Sequence, residues 1–588
     1  MPQEQRGRTR PLTIIAQDPS VKARDGSILR ASVEVTVEEL GPGPWGHRVQ
    51  VIDSDASTGA LYEPLTLPRP AHAISTVADD PFSSASDTEL LSNPKFHAQN
   101  VYAIIMRTLR RFEHALGRRV SWSFRGHQLK VAPHAFADPN AFYSEKDQAL
   151  LFGYFPSSSV EGGTVFTCLS HDVVAHETTH ALLDGLRTRY TDPSSPDQAA
   201  FHEGFADVVA LLAVFSLRGV VEVGLDEAGG RKGGGTQSTS EAGPSTVERA
   251  HLTTDMLLKS VLFGVGEQMG QELSTLRGDS LRRSAMLTPN AEILKQPEFI
   301  EPHRRGEVFV AAIMRTFAET WATRLESLGD RKSRRVDRER AAEEGAIIAD
   351  YMLTMVIRAL DYMPPVHMEF GDFLSAVLTA DVETRPDDER YQFRQHLRES
   401  FKAFGVFPAS PVREPEAGLW EPVNATDFLY DRTHFDAMQR DPDEVFRFIW
   451  ENREQLRLCD AAYSRVLSVR PCLRLNPDGF ALRETVVEFI QRLDVAAHEL
   501  SGFNVFPPLD MPPHTRVSLY GGGTLIFDDY GRLKYAVHNR LLSAERQTRR
   551  LAHLWKFGAF EQGASFRRQF SSLHRARATG EISVHERW

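Results

Sequence analysis

The chain has little cysteine: three in 588 residues, Cys168, Cys459 and Cys472. They are too few and too scattered for a disulfide framework, and none shows the spacing of a zinc-thiolate motif. A reducing compartment is therefore expected. Long hydrophobic runs are lacking too. The longest, such as VVALLAVF at 208–215, falls well short of the roughly 18 residues needed to cross a bilayer. The opening stretch MPQEQRGRTRPLTIIAQDPS carries basic residues but neither an apolar core of signal-peptide type nor a small-residue cleavage site. A cytoplasmic protein with no membrane partner is the expectation. An excess of positive charge is also missing. With 68 Lys and Arg against 79 Asp and Glu the formal net charge is −11, which argues against a surface that coats nucleic acid.

What remains is an ordinary globular composition with length for more than one domain. Residues 1–90 are β-rich: RASVEVTVEEL and HRVQVIDSD alternate apolar and polar positions, with Gly-Pro punctuation at 41–44. From NPKFHAQNVYAIIMRTLRRFEHALG the period lengthens. Val101, Ile104, Ile105, Leu109, Phe112 and Leu116 recur at helical spacing, and Gly117 follows as a stop. Two further helices, near 169–186 and 200–217, belong to a unit spanning 91–225. The stretch 226–250 is rich in Gly, Ser and Thr and reads as a surface loop. Residues 251–408 read as a helical lobe, with helices at 251–273, 306–328, 341–361 and 386–404. A Pro-rich segment near 408–420 marks a boundary, and 409–588 mix helix and strand, including a hairpin around Asp529–Gly531. The fold class is α+β, and the last fifty residues form an Arg-rich face.

The stretch SHDVVAHETTHALLDG, residues 170–185, carries chemistry. On a helix His176 and His180 lie one turn apart on the same face, so both imidazoles can reach one metal ion. Zinc takes such a set, with three protein ligands and a position left for water. Glu177 lies between them and is suited to take a proton from that water as it attacks a carbonyl. A third histidine ligand of the HxxGxxH kind is excluded, because Leu183 and Leu186 stand in those places. AAFHEGFADVVALLAVF supplies a carboxylate instead: Glu203 to complete the zinc shell, and Asp207 one turn later to hold the other nitrogen of a ligand histidine.

DVVAHETTHALLDG and HEGFAD resemble the active-site helix and the third-ligand helix of the thermolysin family of zinc metallopeptidases, the gluzincins. Further matching segments follow in order over about residues 90–408. The resemblance implies a two-lobed fold, β-rich then helical, with the zinc site between and an added C-terminal α+β domain. It implies that Asn140 and Ala141, in NAFYSEKDQALLFGYF, contact the substrate backbone. Arg282, in GDSLR, would bind a substrate carbonyl, and His303, in EPHRRGEVFVAAIM, would stabilise the oxyanion with Glu298 or Glu301 as its partner. Val173 and Leu281 match pocket positions that favour an apolar residue after the scissile bond, and Tyr190 stands where a second oxyanion donor is expected. Asp172 and Asp279 fall at calcium positions of the family, but Val214 replaces a bridging glutamate, so zinc is implied and calcium is left open. His202 replaces the asparagine before the third ligand and reads as a supporting or a surface residue rather than an extra ligand. The resemblance points to a zinc metalloendopeptidase with a peptide or protein substrate. A regulatory peptide-binding protein that keeps the site, or an aminopeptidase, are the alternatives, and the C-terminal domain is expected to bind a protein partner.

Overall fold

The computed structural model describes residues 9–23, 25–69, 77–157, 162–192, 194–228, 246–261, 284, 286–328, 333–409, 418–475 and 479–560. Most of the loop at 226–250 and the end of the Arg-rich tail lie outside these residues. So do Asp279, Leu281 and Arg282.

The N-terminal region opens with an antiparallel pair, β1 (Thr9–Ile15) and β2 (Arg30–Thr36), with Leu12 opposite Val33 and Ile14 opposite Ala31. Three short strands follow: β3 (Val49–Val51), β4 (Ser54–Asp55) and β5 (Ala60–Leu61). A short helix, α1 (Asp87–Ser92), leads into α2 (Pro94–Leu116). The start of α2 is fixed by Asn93, whose side chain accepts the Lys95 amide, and by Pro94 in the first turn. It ends at Gly117, whose φ of 67° is the left-handed conformation that terminates helices. That stop is where the sequence places it.

The main N-terminal sheet contains β6 (Leu129–Phe136), β7 (Ala141–Ser144), β8 (Ala149–Pro156) and β9 (Thr164–Phe166) in the order β3-β6-β8-β7, with β9 also on β8. β6 runs parallel to β3 and β8, whereas β7 is antiparallel to β8 and forms the outer edge. A turn of 3₁₀ helix at Thr167–Leu169 feeds α3 (His171–Leu186), which is followed by α4 (Pro196–Phe215) and α5 (Arg218–Ala228). The N-terminal end of α3 is tied to the segment just after the first strand: the His171 amide donates to the Gln17 carbonyl at 2.7 Å, and Ser170 donates to Asp18 at 2.6 Å. α4 is the one described helix long and apolar enough to cross a membrane, and 94% of that window is buried inside the protein. It is the central helix of the core and carries Glu203 and Asp207.

The helical lobe continues through β10 (Thr246–Glu248), α6 (Thr254–Val261), α7 (Pro302–Glu326), β11 (Arg335–Asp337), α8 (Arg338–Ala359), α9 (Phe370–Thr384) and α10 (Phe393–Ala403). α4 and α7 cross at a glycine pair. A Cβ on Gly204 would lie 3.0 Å from the Gly306 carbonyl, and one on Gly306 would lie 3.1 Å from the Ala200 carbonyl. Both distances are tighter than ordinary contact, so a side chain at either position would press on the facing backbone and push the helices apart by a few tenths of an ångström. Around the crossing, Phe309 packs against Phe201 and Phe373 at ring separations of 5.4 and 4.9 Å.

Beyond α11 (Phe435–Met438) and α12 (Pro442–Glu451), the C-terminal part is a four-stranded antiparallel meander. Its strands are β12 (Tyr463–Leu475), β13 (Ala481–Ala496), β14 (Arg516–Phe527) and β15 (Leu533–Asn539), followed by α13 (Ala544–Lys556). The expected hairpin is present, with the turn at Asp528–Arg532. The meander does not stand apart, since Ile526, Tyr535 and Val537 belong to the main hydrophobic core. Its docking is also ionic. Arg118 grips Asp361 through both terminal nitrogens, at 2.5 and 2.7 Å, and the fully buried Arg474 bridges Asp361 to Glu484. Glu488 on β13 pairs with Arg470 at 2.8 Å and with Arg187, which caps the C-terminal end of α3.

Candidate metal centre

α3 is almost wholly buried, its polar residues included, so its histidines are held inside the protein. His176 and His180 bring their Nε2 atoms to 2.8 Å from each other. Glu203, presented by α4 one helix away, places carboxylate oxygens 3.8 Å from each of them. The three donors lie within 4.8 Å of one another, and all three residues are buried. This is the set that the sequence singles out, drawn together by the packing of α4 on α3.

The hydrogen bonds behind the ligands fix which nitrogens carry protons. His176 Nδ1 is 2.7 Å from Asp207 Oδ1, so its proton sits there and Nε2 presents a lone pair inward. His180 is held through a longer relay. Asp184 accepts the His202 Nε2 proton at 2.9 Å, which leaves His202 Nδ1 as the acceptor for the Nδ1 proton of His180, 2.8 Å away. The His180 and His202 rings stack at 4.8 Å with only 11° between their planes. His180 Nε2 is therefore a lone pair too. Two inward-facing lone pairs and a carboxylate make a donor set that fits a zinc ion. Of the two roles left open for His202, the structure places it behind His180 and not at the surface. Asp184 was not singled out from the sequence, although it lies one turn beyond His180 on the same helix and that spacing is a usable signal.

The other site residues surround this set. Glu177 accepts the backbone N–H of Tyr143, on the edge strand β7, at 3.0 Å. Asn140 and Ala141 lie at the start of the same strand, and the Asn140 side chain accepts the Ala141 N–H at 2.8 Å. Tyr143 thus joins them as a backbone contact that sequence reasoning missed, because a main-chain donor leaves no trace in residue type. His303 sits at the start of α7, its Nδ1 2.6 Å from Glu301 and its Nε2 3.8 Å from Glu203. Of the two expected partners, Glu301 is the one in contact. It also caps α7 by accepting the Arg304 amide at 2.8 Å.

Three expectations fare differently. Tyr190 was expected as an oxyanion donor, but its hydroxyl donates to the Pro364 carbonyl at 2.8 Å and its ring packs edge-on against Phe201, with the residue 1% exposed. Its only proton is thereby committed to a structural bond, and the residue serves as core. Asp172 is buried in the first turn of α3 and joins no group of metal-ligand geometry among the described residues. Arg282, Asp279 and Leu281 lie outside the described residues. Val173 is buried on α3.

No protein-family model matches the chain, and no curated protein matches it.

Proposed function

We propose that the protein is a zinc metallopeptidase, an endopeptidase that prefers an apolar residue after the scissile bond. The observation that carries this reading is the convergence of His176, His180 and Glu203 with Glu177 pinned beside them by the edge of β7. A zinc ion held by the three ligands would polarise the substrate carbonyl and acidify a water molecule. Glu177 accepts the proton of the attacking water and delivers it to the leaving amine nitrogen. The Tyr143 amide holds one Glu177 oxygen at 3.0 Å, which orients the carboxylate. His303 donates from Nε2 to the developing oxyanion, an interaction that strengthens as charge builds. Because its Nδ1 faces Glu301 at 2.6 Å, that donation requires protons on both ring nitrogens, and the Glu301 carboxylate balances the charge. The outer edge of β7, with Asn140 and Ala141, offers main-chain groups to an extended peptide added as a further strand.

The test is Glu177→Gln against wild type, reading zinc content and cleavage of a mixed peptide library. The variant should keep its metal and lose at least about 100-fold in rate, the scale of a general base. Internal cut sites support an endopeptidase. A wild-type protein that binds zinc and cleaves no peptide refutes the reading.

A further inference from the structure

We infer that His97, His134 and Cys168 form a second metal site that holds a zinc-type divalent cation in a structural role. The three come from different elements: His97 from the start of α2, His134 from β6, and Cys168 from the 3₁₀ turn that leads into α3. All are buried, at most 1% exposed, and their donor atoms lie within 4.8 Å of one another.

Hydrogen bonding behind the rings is the decisive feature. His97 Nε2 is 3.0 Å from the Leu91 carbonyl, which can only accept, so that nitrogen carries the proton. His134 Nδ1 is 2.7 Å from one oxygen of Asp53, while the other oxygen accepts the His134 backbone N–H at 3.1 Å. Its proton therefore sits on Nδ1. The two remaining nitrogens, His97 Nδ1 and His134 Nε2, face each other at 2.8 Å. In neutral rings both are lone pairs, and they repel unless a cation bridges them. A proton alone would bridge two nitrogens and leave Cys168 with no part. A thiolate joined to two imidazoles is a soft nitrogen–sulfur donor set of the kind that zinc and copper take.

Charge agrees with this assignment. A divalent ion, the Cys168 thiolate and the Asp53 carboxylate sum to zero, as a buried site requires. Phe166 and Tyr62 pack on the His134 ring at 5.2 and 4.8 Å and close the site with aromatic surface. Binding forms an Sγ–metal bond and releases one proton, from the Cys168 thiol, to solvent. Asp53 stands behind His134 as Asp207 stands behind His176. The ion would fasten α2 and β6 to the turn that launches α3.

Cobalt provides the test, since only this site offers a thiolate. The full chain, stripped of metal and reloaded with Co2+, should bind one ion at each of the two sites and show a near-ultraviolet thiolate-to-cobalt band. Cys168→Ser should abolish the band, and the Cys459→Ser/Cys472→Ser variant should retain it. The His176→Ala/His180→Ala variant should keep the band and lose the other ion. No band in Co2+-loaded wild type, which needs no variant to fold, overturns the inference, as does a band that persists in Cys168→Ser. A failed peptidase reading would leave the band untouched, so the two outcomes are separable.

Discussion

A metal ligand is only as good as the hydrogen bond behind it. His176 has a direct carboxylate partner, but His180 depends on a neutral intermediary, His202, whose tautomer is set in turn by Asp184. Replacing Asp184 with Asn lets the amide offer a donor to His202 Nε2, which favours the opposite tautomer and places a proton where His180 needs an acceptor. Asp184→Asn should therefore weaken zinc binding about 10- to 100-fold, as outer partners of ligand histidines commonly do. Competition with a zinc-binding dye would measure this, and unchanged affinity would show that the relay has no grip on the ligand. Much of the candidate metal centre was readable in the sequence, because on a helix the spacing of His176 and His180 puts both rings on one face. The relay was not, because His202 meets His180 only after α4 has packed on α3. Tyr190 misled for the converse reason: its place in the order of motifs said nothing about the carbonyl of Pro364, 174 residues away.

At the scale of elements, the crossing of α4 and α7 sets the distance between Glu203 and His303. Gly204 and Gly306 meet backbone to backbone there. In Gly306→Val the helix-propensity gain over glycine is a few tenths of a kcal/mol, while forcing a branched side chain against backbone costs about 1–3 kcal/mol. The clash dominates, so the variant should melt at lower temperature, as thermal unfolding followed by circular dichroism would show. Helix periods such as that of α2 were legible because a polar face alternates with an apolar one. α9 escaped the pattern because nearly all its residues are buried, the polar Asp372, Ser375, Thr379 and Asp381 among them, so its polar positions do not mark a solvent face. β12 and β13 were missed for another reason. Arg474 is buried and Arg470 half-buried on β12, against Glu484, Asp361 and Glu488, so charge occupies positions where alternation looks for apolar residues. The GGG at 521–523 also reads as a break, yet β14 runs straight through it. A Cβ on Gly522 would lie 2.5 Å from the Phe489 carbonyl, so the strand is built around the missing side chain.

For the whole molecule, the Arg118–Asp361–Arg474–Glu484 group is the joint between the helical lobe and the C-terminal meander. Burial by itself would raise the Asp361 carboxyl, but Arg118 and then Arg474 outweigh it and hold the group far below the usual carboxylate range. In the unfolded chain the same group takes up a proton near a pH of about 4. The unfolded state therefore binds more protons as pH falls below that value. The stability contributed by Asp361 is complete above it and drains away below. Denaturant midpoints measured between neutral pH and about pH 3 should fall more steeply for wild type than for Asp361→Asn. The variant should already be weaker at neutral pH, by about 3–5 kcal/mol, since two buried guanidiniums lose their shared partner. Equal slopes would remove Asp361 from the account of acid sensitivity.

The two ends of α3 are held by parts of the chain that are made at very different times. Ser170 and His171 are fastened to Asp18 and Gln17, which precede them, whereas Arg187 is paired with Glu488, which follows it by 301 residues. On a ribosome the three donors His176, His180 and Glu203 emerge almost together. The support for the far end of their helix emerges only after most of the protein has been synthesised. The order of synthesis thus separates having the ligands from having the frame that aligns them, and the frame is finished last.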